Sequence, residues 1–337
     1  METTKIIGLL CKESYFILKN EKKNFFKGFY FNEIKKNDNK EVKKEKKVIF
    51  LSTLLELRDR AQLFEKETDD EKEKENSDNI RKFVEIVYEI NNIYDTLKEL
   101  FISGYPELIE IEIKVANCES EYIGCELNTK KYRELESKLL KILDDLKKAQ
   151  FKAYQEKPLI RFIHGRQFNL IYDLIKEKEV DKNKKKIIPL LMFLSNDSIE
   201  FKDINYKYKS TNNIYEDLIN NIEEYLKEAL KQNNTSLEEI YKDSLIKEKN
   251  YDEDVYKGVY MYLCDKLEKN ILQIYKYLTK ETPKAQNVLL CNEETTSGEL
   301  TAFLYRSILC EYNSCFIIGG IELLELDKKN LLIIMKI

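Results

Sequence analysis

The chain has 337 residues and a mass of 40.2 kDa, which is enough for two or three domains. Its 57 basic and 61 acidic residues are interspersed and give a net charge of −4, which excludes the strongly basic surface typical of nucleic-acid binding. With 9 Gly and 4 Pro residues, few tight turns are possible. The composition therefore predicts long helices and excludes a sandwich, a barrel or a repeat of short strands.

Histidine and cysteine limit the possible catalytic and metal sites. His164 is the single histidine, so a Ser-His-Asp or Cys-His site would depend on it, and a zinc site would have at most one imidazole ligand. No two cysteines have CxxC spacing, and we interpret them as reduced thiols of a cytoplasmic protein. The seven cysteines are Cys11, Cys118, Cys125, Cys264, Cys291, Cys310 and Cys315.

The sequence predicts neither a membrane span nor a signal peptide. No apolar stretch approaches the roughly 20 residues that are needed to cross a bilayer. The first residues, METTKIIGLLCKESYFILKN, lack a basic region before a continuous apolar run. We therefore expect a protein without a transmembrane segment.

Residues 1–47 are predicted to be an N-terminal segment that ends in a lysine-rich loop. The first 34 residues fit either strands or a packed irregular segment. Residues 35–47 contain seven Lys and three acidic residues, and residues 65–79 contain eight acidic residues and three Lys. They could be a basic arm and an acidic tail that bind partners, or two solvated loops, which the entropy cost of ordering such segments favours.

Residues 48–155 are predicted to be a helical linker. Helices are expected at 48–64 and at 80–102, where apolar residues recur at spacings of three and four. The sequence Ser-Gly-Tyr-Pro at 103–106 should end the second helix, because Gly allows a left-handed cap and Pro cannot continue a helix. Residues 107–122 alternate apolar and acidic residues, which favours a strand, but their Glu content and helical neighbours lead us to expect a helix.

A heptad pattern follows at 129–153. It predicts a long helix and a coiled-coil-like antiparallel helix pair. A helix packed on an ordinary core is an equally good interpretation, because about three heptads are the lower limit of that signal. The residues that form the pattern are Tyr132, Leu135, Leu139, Ile142, Leu146, Ala149 and Ala153.

Residues 156–284 are predicted to be a second helical region. Pro158 marks its start, and His164-Gly165-Arg166 separates two apolar stretches. Residues 176–186 are expected to be a solvated linker, and residues 187–196 are expected to be buried.

Capping residues predict the helices in the rest of this region. Asn213 with Glu216 should open a helix that extends to about Lys231, and Ser236 with Glu239 should open a short helix. Residues 255–279 have a further apolar stripe, and Pro283 ends the region.

Residues 285–337 have the order strand, helix, strand, helix. The β-prone runs are 288–291 and 315–320, and a capping box of Thr296 and Glu299 opens the helix between them. This order predicts a βαβ unit with a parallel sheet. Because two strands do not make a stable α/β domain, we expect the chain to stop inside a fold.

No residue pattern predicts catalysis. A P-loop is absent from the sequence, and Gly319-Gly320 is either a turn at a ligand-binding sheet edge or, as we favour, a simple turn after a buried strand. Glu322 is interpreted as an acid at a helix start, and His164 as a packed imidazole. Arg166 and Gln167 could make a buried polar contact. Cys310 and Cys315 lack the further ligands that a metal site needs.

Several blocks resemble the mysterin-type family of giant AAA+ RING E3 ubiquitin ligases. Residues 285–327 contain VLLC, a Thr-Thr pair, a helix similar to the family's LxxFLxR pattern and an apolar strand. LRDRAQLF (57–64), SGYPEL (103–108) and RELESKLLKILDDLKKAQ (133–150) resemble the helical linker that precedes the AAA core. The resemblance spans residues 50–327, and VLLC and GYPEL are its specific matches.

The resemblance implies a mainly α fold: an elongated helical linker with a coiled-coil-like helix pair, followed at 285–337 by an incomplete, AAA-like βαβ unit. This piece would dock on the AAA ring and other domains of a larger cytoplasmic ligase, which hydrolyses ATP with Mg²⁺ and transfers ubiquitin through a zinc-binding RING. Because this chain lacks Walker A and the eight RING ligands, no catalytic, cofactor-binding or metal-binding residue is carried over.

Two other hypotheses follow from the residues alone. The chain could be a free-standing helical scaffold that binds protein partners through the 129–153 helix. The third and weakest hypothesis is a small enzyme that uses Cys310 or His164.

Overall fold

The computed structural model is mainly helical. It describes residues 14–19, 28–36, 42–63, 71–107, 109–116, 119–123, 132–177, 189–194, 206–211, 213–232, 234–242, 267–312 and 314–334. The chain forms two compact units, an N-terminal unit of residues 1–102 and 107–145 and a C-terminal unit of residues 103–106 and 146–337. None of the described helices combines the length and the apolar character needed to cross a bilayer. The division into four segments expected from the sequence stays a prediction.

The N-terminal unit combines two antiparallel sheets with long helices. A three-stranded sheet has the order β1-β4-β5, and a hairpin pairs β2 with β3. The strands are β1 (Ser14–Lys19), β2 (Gly28–Lys36), β3 (Val42–Phe50), β4 (Glu110–Ala116) and β5 (Glu119–Ile123). The helices are α1 (Leu51–Gln62), α2 (Glu71–Ile102) and α3 (Tyr132–Glu156), the last of which continues into the C-terminal unit.

The prediction of a lysine-rich loop at 35–47 was wrong. Lys36 pairs with Val42 at the end of the β2–β3 ladder, so most of the run lies in a hairpin. High charge favours a loop, but the backbone hydrogen bonds of a strand pair can offset the ordering cost of a charged segment. The prediction of a loop at the acidic run, 65–79, was wrong in part, because α2 begins at Glu71. Residues 37–41 of the lysine-rich run and residues 65–70 of the acidic run lie outside the described residues.

The helix expected at 107–122 was also wrong, since this segment forms β4 and β5. Ile109 and Ile111, two residues apart, are both buried, as expected for one face of a strand. Burying an isoleucine stabilises by about 2 kcal/mol, whereas helix preferences differ by a few tenths per residue. The alternation was therefore a stronger signal than the Glu content.

The two long helices agree with their predictions. Phe83, Val87, Ile90 and Leu97 of the predicted stripe are buried in α2. In α3 the buried residues Leu143 and Gln150 each lie one position after a residue of the predicted heptad pattern, Ile142 and Ala149. This shift is expected for a helix with a period nearer 3.6 residues. The coiled-coil-like pair therefore stays a prediction.

The C-terminal unit packs helices around a short 3₁₀ turn, Pro158–Phe162, and ends in an α/β unit. Its helices are α4 (Arg166–Glu177), α5 (189–194), α6 (Ile214–Gln232), α7 (Leu237–Lys242), α8 (Leu267–Thr279), α9 (Ser297–Ile308) and α10 (Leu326–Ile334). Its strands are β6 (Val288–Leu290) and β7 (Ile317–Gly319). The first two residues of the linker predicted at 176–186 lie in α4, and its remaining residues, 178–186, lie outside the described residues. Residues 255–266 of the predicted apolar stripe also lie outside them.

Local signals placed the helix starts correctly. Asn213 accepts hydrogen bonds from the backbone of Tyr215 at 3.0 Å and opens α6. Ser236 and Glu239 form a reciprocal capping box on α7, with bonds of 3.1 and 3.2 Å. Such a box needs residues only three positions apart, which is why the sequence reveals it.

The predicted βαβ order is confirmed. β6 and β7 pair in parallel, with Leu290 opposite Gly319, and α9 connects them. The buried core of this α/β unit consists of Leu289, Cys291, Leu300, Phe303, Leu304 and Leu324. The βαβ unit is thus a packed structure, whereas its membership of an AAA-like module stays a prediction.

Candidate functional site

Two neighbourhoods of the C-terminal unit are candidate sites: the carboxyl edge of β6 and β7, and the buried attachment of α9. At the edge, Gly320 has a φ of +74°, and a Cβ there would lie 2.6 Å from the carbonyl oxygen of Cys291. The backbone N–H of Cys291 donates to the carbonyl of Gly319 at 2.7 Å. Gly319-Gly320 is therefore a turn that glycine makes possible, as the favoured interpretation expected.

The loop after β6 is held by its own polar side chains. The backbone N–H groups of Glu294 and Asn292 donate to the side chains of Asn292 and Thr295, both at 2.9 Å. Thr296 then caps α9 by accepting from the backbone N–H of Glu299 at 3.1 Å. These hydrogen bonds hold the backbone of the loop that carries the exposed residues Glu293 and Glu294.

The chemistry of the edge is acidic and apolar. Glu322 lies in the first turn of a 3₁₀ segment, Ile321–Leu323, rather than at the start of α10. Burial, together with the carboxylates of Glu299 and Glu322, raises the pKa of the Cys291 thiol to about 11. The thiol is therefore protonated near neutral pH and is a poor nucleophile. Carboxylates at this edge would also repel a phosphate group.

The attachment of α9 depends on Arg306, whose buried guanidinium forms no salt bridge with a described residue. Its Nη1 donates to the carbonyl of Arg161 at 2.7 Å, and its Nε and Nη2 donate to the carbonyl of Gln286 at 3.1 and 3.0 Å. Burial lowers the pKa of Arg306 to about 10, so the side chain stays charged near neutral pH. The guanidinium also lies between 5.1 and 5.8 Å from the ring centroids of Phe162, Phe193 and Phe303.

Arg161 makes the reciprocal contact from the 3₁₀ turn. Its Nη1 donates to the carbonyl of Leu309, just after α9, at 2.8 Å, and its Nε donates to the carbonyl of Tyr154 at 2.8 Å. Each arginine therefore binds the backbone of the other's segment. We call this pair, Arg161 and Arg306 with their carbonyl acceptors, the arginine junction; it joins the α/β unit to the helical part of the C-terminal unit.

A short polar segment before β6 completes the attachment. Lys284 and Gln286 donate to the carbonyl of Ile240 in α7, at 3.1 and 2.8 Å. Asn287 donates to the carbonyl of Cys315 at 3.3 Å. All three side chains are buried, so the segment supplies hydrogen-bond donors to a carbonyl in α7 and to a loop carbonyl.

The residues singled out in the sequence lie at several places in the C-terminal unit. His164 is half-buried, and burial lowers the pKa of its imidazole, whose charged neighbours are Glu299 and Arg306. The Sγ of Cys310 lies 3.9 Å from Ser314 Oγ, and burial raises the pKa of the thiol. Gln167 contacts the backbone N–H of His164 at 3.0 Å, whereas Arg166 is exposed. Among the described residues, no three His, Cys, Asp or Glu side chains are placed to hold a metal ion.

Neither junction arginine was predicted from the sequence. A usable signal was present, because Arg306 follows Phe303 by three positions on the apolar stripe of α9, and Arg161 interrupts the apolar run Leu159–Ile163. A charged residue at an apolar position indicates a buried polar contact.

These features define a mainly helical protein with a small parallel α/β unit and a buried arginine junction. In comparisons with known proteins, no family model matches the chain, and no curated protein matches it at a significant level. The resemblance to mysterin-type ligases therefore stays a prediction from the sequence blocks quoted above.

Proposed function

We propose that the chain is a non-catalytic structural element, a helical linker joined to an AAA-like α/β unit, in a giant ubiquitin ligase of the mysterin type. In this proposal the parent protein works in the cytoplasm, couples ATP hydrolysis to ubiquitin transfer, and supplies the nucleotide and zinc sites from other domains. This chain contributes the mechanical connection between them.

The arginine junction is the observation that carries the proposal. A linker that transmits movement has to be attached firmly to the module that moves. Hydrogen bonds to charged donors contribute about 1.5–3 kcal/mol each, and Arg161 and Arg306 donate at least five of them between the two segments and their neighbours. Such an attachment favours movement of the α/β unit and its helical support as one body.

The chemistry of the candidate residues supports a non-catalytic role. Burial lowers the pKa of His164 and raises the pKa of the Cys310 and Cys315 thiols, in the direction that reduces charge and reactivity. The side-chain donors of the attachment are used for hydrogen bonds to backbone carbonyls. These side chains therefore serve the fold.

The size of the native gene product tests the ligase proposal. An antibody raised against the 337-residue chain should detect a polypeptide far larger than 40.2 kDa on a denaturing gel of source cells. Transcript sequencing beyond the codon for Ile337 should continue into a P-loop and later a RING. A single product of 40.2 kDa from a transcript that ends at Ile337 would contradict the proposal.

A free-standing scaffold that binds protein partners is the second candidate. It is favoured by exposed apolar side chains on the C-terminal unit, of which Leu326 is 72% and Leu290 50% exposed. A 40.2 kDa native product that is monodisperse and unfolds cooperatively after purification would support this alternative.

A further inference from the structure

The carboxyl edge of β6 and β7 exposes apolar side chains on neighbouring turns. Leu290 at the end of β6 is 50% exposed, Leu323 is 49% exposed, and Leu326 at the start of α10 is 72% exposed. Ile321 adds a fourth side chain at 39% exposure. We call these four residues the apolar edge. Apolar exposure that is concentrated in one place indicates an interaction surface, whereas single exposed leucines do not.

The backbone brings the apolar edge together. Leu290 and Gly319 are paired in the parallel ladder, so β6 and β7 end at the same level. The left-handed turn at Gly320 then folds the chain back against Cys291, the residue after Leu290. A Cβ on Gly320 would be 3.6 Å from Leu323 Cδ1, which places the Leu323 side chain beside this turn.

An acidic rim surrounds the apolar edge. Exposed carboxylates come from both connecting loops: Glu293 and Glu294 follow β6, and Glu322, Glu325 and Asp327 follow β7. Lys328 pairs with Glu325 at 3.2 Å, and Lys329 donates to the backbone carbonyl of Glu322 at 2.9 Å. Five carboxylates against two ammonium groups leave the rim negative near neutral pH.

The field of this rim also reaches the buried side of the edge. Burial, and after it the carboxylates of Glu299 and Glu322, raise the pKa of the Cys291 thiol and disfavour its ionised form. Carboxylates on α9 and on the turn after β7 therefore converge on one residue at the end of β6.

We propose that the apolar edge and its acidic rim bind a basic amphipathic segment of a partner protein. The apolar side chains of that segment would cover Leu290, Leu323 and Leu326, and its Lys or Arg side chains would lie against the rim. Charge complementarity around an apolar centre selects this occupant over an acidic or neutral segment, because like charges across an interface are costly. The proposal is independent of the ligase proposal.

Peptide binding to the purified 337-residue chain tests the proposal. Three labelled helix-forming peptides of about 15 residues are compared by fluorescence anisotropy. The first has an apolar stripe of Leu and a polar face of Lys, the second replaces Lys by Glu, and the third keeps Lys but replaces Leu by Gln. The Leu/Lys peptide should bind at least about tenfold more tightly than either of the others.

Variants of the edge locate the binding. The double substitution Leu323→Ser and Leu326→Ser should weaken binding of the Leu/Lys peptide at least about tenfold. Leu272→Ser with Tyr277→Ser is the matched control, because both side chains are more than half exposed on α8, and it should leave binding unchanged.

Charge reversal separates the proposed recognition from general attraction to an acidic protein. Glu293→Lys with Glu322→Lys should weaken the Leu/Lys peptide and strengthen the Leu/Glu peptide, whereas the exposed control pair Glu156→Lys and Glu238→Lys should do neither. Equal effects of edge and control variants would overturn the proposal. Self-association of the chain that the edge variants abolish would also overturn it, because the occupant would then be a second copy.

Discussion

At the scale of single residues, the two buried junction arginines are stabilised mainly by hydrogen bonds to backbone carbonyls. A buried cation is costly unless donors find acceptors. Arg306 donates hydrogen bonds to two backbone carbonyls and lies over three aromatic rings. Arg161 donates to one carbonyl before its own 3₁₀ turn and to one carbonyl after α9. A side-chain substitution does not remove a backbone carbonyl. The side chains of Arg161 and Arg306 are therefore the parts of the arginine junction that a substitution can remove.

Replacing Arg306 by Lys should destabilise the C-terminal unit. A lysine keeps the charge but lacks the planar fork, so one of the carbonyls of Arg161 and Gln286 loses its donor. We expect a loss of about 2–4 kcal/mol in the free energy of unfolding, measured by urea denaturation. The control substitution Arg166→Lys, at an exposed position, should change the free energy of unfolding by less than about 0.5 kcal/mol. Equal unfolding midpoints for the two variants would contradict a structural role for the junction.

His164 should make stability depend on pH below neutrality. Burial holds the pKa of its imidazole below the ordinary value of 6.5, and Arg306 lowers it further, while Glu299 acts in the opposite direction. The unfolded chain therefore binds a proton more readily, so this contribution is complete above pH 6.5 and is lost as the pH falls towards the folded-state pKa.

The measurement is urea unfolding of the wild type and of His164→Gln at about pH 7.5 and about pH 5. The wild type should lose more stability between the two values than the variant does, because the variant lacks the titrating group. An identical pH dependence in both proteins would show that the imidazole is equally protonated in the folded and unfolded states.

Residue-level prediction from the sequence succeeded where the interacting groups are close along the chain. The capping box of Thr296 and Glu299 spans three positions. The bonds from Arg306 to Arg161 and from Arg161 to Leu309 span 145 and 148 positions, and no local pattern specifies which segments meet. The candidate site could therefore be predicted as an unusual pair of arginines, but not as a junction.

At the scale of secondary-structure elements, one glycine determines how closely two segments approach. Gly104 has a φ of +85°, and a Cβ there would collide with the carbonyl oxygen of Gly165 and lie 2.9 Å from Phe168 Cβ. The Ser-Gly-Tyr-Pro stop after α2 was predicted as a cap, and Gly104 has the left-handed conformation that the prediction required. Its second role, packing against the start of α4, needed the structure.

Gly104→Ala should lower the free energy of unfolding by about 2–4 kcal/mol. Alanine is strained in the left-handed conformation, and its Cβ would also collide with the carbonyl oxygen of Gly165. Gly298→Ala is a matched control in the first turn of α9, where the nearest atom, the nitrogen of Gly165, is 3.7 Å away. That change should be neutral or stabilising by up to about 1 kcal/mol. A thermal melt of both variants measures the difference, and similar melting temperatures would refute the packing role.

The misassignment of β4 has a physical cause outside its own segment. β4 is stabilised by pairing with β1, far earlier in the chain, where Ser14 is opposite Val115. Helices depend on bonds within one segment, so their pattern is visible locally, whereas a strand requires a partner that local reasoning does not supply. The sequence therefore predicts α2, α3 and α6 well and the N-terminal sheets poorly.

At the scale of the whole molecule, the two compact units should unfold in separable steps. Each has its own buried apolar residues, Leu54 in the N-terminal unit and Leu226 in the C-terminal unit, at 1% and 0% exposure. Calorimetry should therefore give an unfolding enthalpy larger than the van't Hoff value.

Substitutions assign the steps. Leu54→Ala and Leu226→Ala should each cost about 2–5 kcal/mol, and each should shift a different part of the transition. If both variants shifted one transition by the same amount, the chain would be a single cooperative unit.

The arginine junction and the acidic rim should respond differently to ionic strength. Dissolved ions screen exposed charges, with a Debye length of about 8 Å at physiological concentration, but they have little access to a buried guanidinium whose acceptors carry no net charge. The attachment of the α/β unit should thus keep its strength from dilute buffer to concentrated brine. A segment bound through the acidic rim would dissociate at high salt. The molecule therefore combines one attachment that is independent of ionic strength with one that depends on it.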